Sequence, residues 1–241
     1  MKISVVIPAF NEEKLLARSL ASVAEASRAF ASLGWENETV VCDNNSTDRT
    51  AEIARAAGAA VVFEPRNQIA RARNAGASAA TGDWLVFIDA DSFPSLELFA
   101  DLAAAIGTQK YLGGGSTVRF HDYNGRASRW VWVWNTISRL THWAAGSFVF
   151  CQAHAFRELG GFSLELYVSE EIEFSRRLKR LARARGKRLI ILDQHPLATS
   201  PRKLELYAPR EHLAFLWRCV RSVGGARRHQ AACSIWYDGR R

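Results

Sequence analysis

Residues 70–92 read ARARNAGASAATGDWLVFIDADS, and this stretch decides the fold class. Its first part belongs to an alanine-rich helical pattern over residues 68–82, and the apolar run that follows is typical of a buried strand. Two carboxylates, Asp89 and Asp91, come directly after that run with one alanine between them. A helix that leads into a buried strand with an acidic end predicts an α/β protein whose functional groups lie at the carboxyl ends of its strands.

The same alternation of strand and helix covers the rest of the first 107 residues. Further strands are predicted at 3–10, 38–43 and 59–65, and further helices at 11–30, 48–58 and 95–107. Asn11 is expected to cap the first helix, and Gly58 to end the second. Strands and helices that alternate at this spacing predict a parallel sheet with helices on both faces.

The pattern changes after Gly107. The segment KYLGGGSTVRF, residues 110–120, predicts a strand with a glycine turn. Later strands are predicted at 146–151 and 187–192, and later helices at 170–186 and 209–225. We therefore predict a single domain over residues 1–241, with two functional halves at 1–107 and 108–241 and a basic helix near the C-terminus.

Composition excludes several classes of protein. No apolar run reaches the roughly 18 to 20 residues that a membrane-spanning helix needs. The N-terminal segment MKISVVIPAF lacks the long apolar region and small-residue cleavage site of a signal peptide. Cys42, Cys151, Cys219 and Cys233 lack the spacing of a zinc site or a disulfide framework, which favours buried thiols. We expect a cytoplasmic protein that begins at Met1.

Positive charge is concentrated in one segment. The formal net charge is +8, and eight of the thirteen residues from Arg176 to Arg188 are Lys or Arg, with more arginines near the C-terminus. Two interpretations fit this pattern: a solvated helix face, or a surface that contacts the anionic inner face of a membrane. No DNA- or RNA-binding motif is present, so no nucleic-acid partner is expected.

Four tryptophans lie within fourteen residues of the second half. Trp130, Trp134 and Trp143 fall near helical spacing. This spacing favours burial in the core over an aromatic surface that binds an acceptor.

Polar residues follow three of the predicted strands. These residues are Asn11 and Glu12, Asp43, and the pair Asp89 and Asp91. Any single carboxylate here fits a turn or a helix cap. Three acidic strand ends on one sheet edge, however, repel one another unless a cation or hydrogen-bond donors lie among them. The pattern favours a site for a cation and a nucleotide.

Four segments carry a resemblance to a known family. They are VVIPAFNEE (5–13), VVCDNNSTDRT (40–50), residues 70–92, and ELGGFSLELYVSEEIEFSRRLKR (158–180). In order and spacing they resemble family 2 glycosyltransferases of the GT-A fold, over roughly residues 3–195. The resemblance implies a Rossmann-like, mostly parallel central sheet flanked by helices. It also implies a hexosyltransferase-like enzyme that transfers a sugar from a UDP- or GDP-linked donor to an acceptor hydroxyl, with inversion.

The resemblance also assigns residues, with the donor bound by the first half and the acceptor by the second. Those assigned to the nucleotide-sugar are Pro8, Ala9, Phe10, Glu12, Asp43, Arg73, Asp89 and Ala90. Asp91 matches the ligand of a Mn²⁺ or Mg²⁺ ion, and His195 lies where related enzymes have a further ligand or phosphate contacts, as do Ser200 and Arg202. Glu171 matches the general base, with Glu170 as the alternate, and residues 160–162 are expected to form the loop before them. Asn44 stands where a second aspartate is more common.

Each of these assignments has a competitor. Acidic residues in a first helical turn, such as Glu170 and Glu171, also suit the helix dipole, and a lone histidine after a strand is more often structural. At the level of function, the alternatives are a polyprenyl-phosphate sugar synthase and a non-catalytic protein that binds nucleotide-sugars or nucleic acid.

Overall fold

The computed structural model describes residues 1–121 and 127–202, except for the side chains of 127–130. The described residues form eight strands: β1 (Lys2–Ala9), β2 (Glu36–Asp43), β3 (Ala60–Phe63), β4 (Trp84–Ile88), β5 (Ser92–Phe93), β6 (Tyr111–Phe120), β7 (Phe148–Gln152) and β8 (Arg188–Thr199). They also form eight helices: α1 (Leu16–Ala26), α2 (Arg28–Ala31), α3 (Thr50–Ala56), α4 (Ile69–Ala79), α5 (Leu96–Gly107), α6 (Ala127–Thr141), α7 (Ala153–Glu158) and α8 (Glu170–Ala184). The predicted helix at 209–225, Cys219, Cys233, the C-terminal arginines and the Trp130 side chain lie outside these described parts.

All eight strands belong to one sheet, in the order β3-β2-β1-β4-β7-β6-β8-β5. The first four strands are parallel to one another, as are β6 and β8. Strand β7 runs antiparallel to both β4 and β6, and the short β5 runs antiparallel to β8. The predicted fold class, a mostly parallel sheet with flanking helices, is confirmed, and the antiparallel strands lie where the second half joins the first.

Helices cover both faces of the sheet because the buried strands are apolar on both sides. Along β1, Val5 and Ile7 join a core that contains Leu20 of α1 and Leu102 of α5. Val6, between them, points to the opposite face and joins a second core with residues of α4 and α8. The two cores fix α4 and α8 on the same face of the sheet, which is where the candidate site lies.

The prediction that Asn11 caps α1 is wrong. The helix begins at Leu16, and its N-cap residue is Leu15. Asn11 has a left-handed backbone with φ of 52°, and its Oδ1 atom accepts a hydrogen bond of 2.8 Å from the backbone N of Thr47. Asparagine tolerates this conformation better than most residues, so Asn11 joins two loops instead of starting a helix.

The predicted glycine turn at residues 113–115 is also wrong, because these glycines lie inside β6. A Cβ atom on Gly114 would lie 1.8 Å from the carbonyl oxygen of Ile190 in β8, and one on Gly113 would lie 2.4 Å from that of Phe150 in β7. A Cβ on Gly115 would lie 2.7 Å from the Cβ of Ala144. Glycine is therefore required by close packing on both sides of the strand, and no turn is involved.

We expect Gly114→Ala to destabilise the fold by about 3 kcal/mol or more, because the added methyl group meets backbone atoms that cannot move independently. Gly107→Ala is the matched control, since a Cβ there has nothing within 4 Å. The measurement is urea unfolding of both variants. Equal midpoints for the two variants would contradict the packing explanation.

Candidate active site

The predicted strand ends meet at one edge of the sheet. Ala9, the last residue of β1, pairs with Asp43, the last residue of β2. Strand β4 lies on the other side of β1, with Val6 opposite Phe87, and Asp89 follows two residues later. Pro8, Ala9 and Phe10 therefore lie between the loops that carry Asp43 and Asp89, as the sequence predicted.

Asp43 and Asp48 both organise the loop that follows β2. Asp43 is buried, and its Oδ1 atom accepts a hydrogen bond of 3.0 Å from the backbone N of Ser46. Asp48 accepts hydrogen bonds from the backbone N of Thr50 and of Glu13. Burial opposes ionisation of Asp48, but its hydrogen bonds outweigh that effect and lower its pKa. Both carboxylates thus have a structural role in this loop.

Asn44 joins the end of β2 to the segment between β3 and α4. Its side-chain nitrogen donates hydrogen bonds to the carbonyl oxygens of Glu64, at 3.1 Å, and Arg66, at 2.7 Å. Its side-chain oxygen accepts a hydrogen bond of 2.9 Å from the backbone N of Gln68. The side chain is only 2% exposed. An aspartate here would place a negative charge against two carbonyl oxygens, so these contacts explain the asparagine.

Arg73 on α4 lies at the centre of the site and is only 1% exposed. Its Nη1 atom donates to Glu170 Oε1 at 2.6 Å, and its Nη2 atom donates to Asp89 Oδ1 at 3.0 Å and to the carbonyl oxygen of Gly146 at 2.7 Å. Burial disfavours its charged form, but Asp89, Glu170 and Glu171 outweigh that effect and raise the pKa of Arg73. Arg73 is therefore buried and holds other site residues in place, and its role beside the nucleotide stays a prediction.

Glu170 and Glu171 begin α8, where the sequence placed the candidate base. Glu170 is 3% exposed, whereas Glu171 is half-buried. Burial raises the pKa of Glu170, the charge of Glu171 adds to the rise, and Arg73 opposes it. Burial likewise raises the pKa of Glu171, with Arg73 again opposing. Both carboxyl groups therefore bind protons more readily than exposed ones.

The loop before α8 has the predicted glycine-rich form. Gly160 and Gly161 have φ of 71° and 73°. The side chain of Asn74, the neighbour of Arg73, donates a 2.9 Å hydrogen bond to the carbonyl oxygen of Phe162. It also accepts a hydrogen bond from the backbone N of Phe162. A Cβ on Gly161 would lie 2.6 Å from Asn74 Oδ1. Helix α4 thereby positions both the loop and the start of α8.

Asp91 lies beside a cationic side chain from the end of the described chain. It is 6% exposed, and its Oδ2 atom lies 3.6 Å from Nη2 of Arg202. The same nitrogen donates to Glu12 Oε1 at 2.7 Å. The donor set here suits a positive charge, since two carboxylates share one guanidinium nitrogen. Two carboxylates fit a hard divalent cation whose remaining ligands are substrate oxygens and water.

His195 has carboxylate neighbours on α5. Its Nδ1 atom lies 2.9 Å from Asp101 Oδ2, and its charge also acts on Glu97. Within residues 1–121 and 127–202, no three His, Cys, Asp or Glu side chains are grouped as a metal site. These contacts favour a structural role for His195 over its predicted role as a metal ligand.

Two features of the site had weak or no signals in the sequence. The carbonyl group of Gly146 accepts from Arg73, and a backbone acceptor in a loop has no signature in its residue type. Arg202 was expected only as a phosphate contact, and its ion pair with Glu12 spans 190 residues. Ala90, between the two aspartates, is buried.

We expect Asn44→Asp to lower the free energy of unfolding by about 2 kcal/mol or more, because a buried donor pair is replaced by an unpaired charge. Asn45→Asp is the matched control, since Asn45 is exposed and has a positive φ that aspartate also tolerates. Thermal unfolding at neutral pH measures both. Lowering the pH toward 3 should reduce the Asn44→Asp deficit as the new carboxyl group is protonated, and a pH-independent deficit would contradict the explanation.

Comparisons with known proteins agree with this geometry. The model of glycosyl transferase family 2 matches residues 4–158. An uncharacterised glycosyltransferase of Mycobacterium bovis is 43% identical over 89 residues, which cover 37% of this chain and 36% of the relative. This chain thus matches about a third of that relative's length.

Solved structures show the same fold. The mannosyltransferase PcManGT of Pyrobaculum calidifontis, in complex with GDP-Man and Mn²⁺, has a TM-score of 0.68 at 20% identity, over 96% of this chain and 64% of that chain. Staphylococcus aureus TarS 1–349, in complex with UDP-GlcNAc, has a TM-score of 0.65 at 20% identity, over 99% and 71%. The predicted GT-A fold is confirmed by these neighbours. The chain belongs to glycosyl transferase family 2.

Proposed function

We propose that this protein transfers a sugar from a nucleoside-diphosphate sugar to an acceptor hydroxyl, with inversion at the sugar carbon. The observation that carries the proposal is the Arg73 cluster, which holds Asp89, the residue after β4, and Glu170 from α8 on one guanidinium, with Glu171 beside them. One edge of the sheet thereby presents carboxylates suited to a cation near carboxylates suited to proton transfer. The GDP-Man and UDP-GlcNAc complexes of the structural neighbours support a donor of this class.

In this proposal the donor lies along the strand ends. Pro8, Ala9, Phe10 and Asp43 border the nucleotide, and Asp89 and Ala90 border its ribose and phosphates. Asp91 holds a Mn²⁺ or Mg²⁺ ion, near Glu12 and its ion pair with Arg202. Such an ion, when bound, offsets the negative charge that grows on the departing diphosphate. Arg202 lies close enough to contribute a further positive charge toward the diphosphate.

Glu171 is the proposed general base. The acceptor oxygen forms a bond to the sugar carbon while the bond from that carbon to the diphosphate oxygen breaks, and the hydroxyl proton moves to Glu171. Glu170 is less suitable, because its Oε1 atom is only 2.6 Å from Arg73 and its side chain is almost fully buried. The raised pKa of Glu171 makes it a stronger base than an exposed carboxylate.

Other readings of the same site lead to different outcomes. A protein that binds nucleotide-sugars without catalysis would show no metal-dependent hydrolysis of any donor, even slowly. A polyprenyl-phosphate sugar synthase would use a lipid phosphate as the acceptor. The proposal does not specify the nucleotide base, the sugar or the acceptor. It includes contact of the protein with an anionic membrane.

We expect Asp91→Asn to reduce the metal-dependent part of nucleotide binding roughly tenfold or more. UDP and GDP are titrated by calorimetry with Mn²⁺ and again with EDTA. His195→Gln is the matched comparison, because His195 pairs with Asp101 and should leave metal-dependent binding unchanged. Equal nucleotide affinity with and without metal in the unaltered protein would contradict the metal site. If His195→Gln lowers metal-dependent binding as much as Asp91→Asn does, His195 is a metal ligand after all.

We expect Glu171→Gln to lower turnover about 10²- to 10⁴-fold while donor binding is retained, because glutamine keeps the shape but accepts no proton. Glu173→Gln is the control on the same helix turn, since Glu173 forms an ion pair with Arg177 at 2.6 Å. Turnover of the donor is measured with product analysis. A larger loss in Glu170→Gln than in Glu171→Gln would exchange the two roles, and near-normal turnover in both variants would contradict a base on α8.

A further inference from the structure

Helix α6 has an apolar face on each side. Val131 and Trp134 pack against the core, which fixes the inner face of the helix. The outer face carries four large apolar side chains that are exposed, from 39% at Ile137 to 77% at Leu140; they are Trp132, Val133, Ile137 and Leu140. We call these four residues the α6 outer face. Contiguous exposed apolar side chains of this size mark an interaction surface in a folded protein.

Helix α8 presents a basic face that forms no ion pair within the part of the chain that the structure describes. Its four members are Arg176, Lys179, Arg180 and Arg183, which border a surface depression of about 310 Å³. None of the four forms an ion pair with a carboxylate among the described residues. By contrast, Arg177 pairs with Glu173, and Arg185 pairs with Glu158. These four cations lie on one side of the helix, which we call the α8 basic face.

The two faces adjoin at the C-terminal end of α6. The Nζ atom of Lys179 donates a 2.8 Å hydrogen bond to the carbonyl oxygen of Thr141, the last residue of α6. The guanidinium of Arg176 lies 4.5 Å from the ring centre of Trp143, just beyond the helix. Leu140, the most exposed apolar residue of α6, directly precedes Thr141. Apolar and cationic groups thus form one continuous surface.

We propose that the α6 outer face and the α8 basic face together dock this protein on an anionic lipid bilayer. A membrane surface has an apolar layer of acyl chains beneath a layer of phosphate groups. The apolar side chains of α6 suit the acyl chains, and the Lys and Arg side chains of α8 suit the phosphates. Within residues 1–121 and 127–202 no helix has the length and apolarity to cross a bilayer, so the contact is with the surface.

Charge and shape favour a bilayer over the other partners. Two copies paired through this surface about a two-fold axis would bring the four α8 cations of each copy together, and these would repel. A nucleic acid would use the cations but would leave three exposed aliphatic side chains of α6 against a polar backbone. A lipid surface accommodates both kinds of group at once.

The docking surface and the proposed base share helix α8. Arg176 follows Glu171 by five residues, which is about 7.5 Å along the axis of α8 and roughly 140° around it, so the two side chains point in different directions. The loop from Trp143 to Gly146 leads from the docking surface to the carbonyl group that accepts from Arg73. The docking itself rests on α6 and α8 and stands apart from the chemistry of transfer.

The test uses vesicles of phosphatidylcholine with and without phosphatidylserine, at low and high salt, with binding measured by co-sedimentation. We expect binding to the anionic vesicles that weakens as salt increases. Arg180→Gln combined with Arg183→Gln should lower the partition coefficient roughly fivefold for each charge removed. Arg55→Gln combined with Lys110→Gln removes two exposed charges elsewhere and should leave binding nearly unchanged.

The apolar contribution is tested separately. Trp132→Ser combined with Leu140→Ser should weaken binding tenfold or more, whereas Leu33→Ser combined with Phe63→Ser, at exposed apolar sites elsewhere, should not. Quenching of tryptophan fluorescence by lipids brominated on their acyl chains should fall in Trp132→Phe, which keeps an aromatic ring at that position. Nucleotide binding is measured for each variant as a control. Unchanged nucleotide binding shows that the fold is retained, whatever the result of the vesicle assay.

Three outcomes would overturn the proposal. One is the absence of binding to anionic vesicles at low salt. Another is an equal loss of binding in the test and control variants. The third is concentration-dependent self-association that the serine variants at α6 abolish, which would assign the surface to a second copy of this chain.

Discussion

The structure depends on one buried positive charge, the guanidinium of Arg73. A buried arginine is tolerated only where carboxylates and carbonyl groups satisfy its donors, because the cost of removing the charge from water is several kcal/mol. Asp89 after β4, Glu170 from α8 and the carbonyl group of Gly146 accept from its Nη1 and Nη2 atoms, whereas the buried Nε atom has no hydrogen-bond partner among the described residues. The same requirement fixes α4, the end of β4, α8 and the loop before β7 relative to one another. One guanidinium group thus joins the two halves of the chain at the site.

The cluster around Arg73 contains more acidic groups than basic ones. Asp89, Glu170 and Glu171 act on one guanidinium, and burial leaves little water to screen them. Burial raises the pKa of Glu170 and of Glu171, and a raised pKa is the property that a proton acceptor near neutral pH requires. At the neighbouring strand end, Arg202 stands between Glu12 and Asp91 in a comparable way. Basic side chains thus hold the acidic edge of the sheet together.

Much of the first half follows from local signals. Apolar runs, polar strand ends and Gly58 predicted β1 to β4 and the helices between them, because these patterns depend on neighbouring residues alone. Two local predictions failed for reasons that lie in distant contacts. Asn11 bonds to Thr47 and caps no helix, and Gly113 to Gly115 are set by strands β7 and β8. Trp134, which was expected in the core, packs against it, whereas Trp132 on the same helix is 66% exposed.

The sequence by itself determined the fold class, the order of most elements and the acidic character of the strand ends, since periodicity and residue type carry that information. Tertiary structure alone decided which of these groups meet. The pairing of Arg73 with Glu170 spans 97 residues, and that of Arg202 with Glu12 spans 190. Contacts over such separations depend on how whole helices pack on the sheet. That packing buried Arg73 as a counter-ion of the site, and it set a basic helix face beside an exposed apolar one.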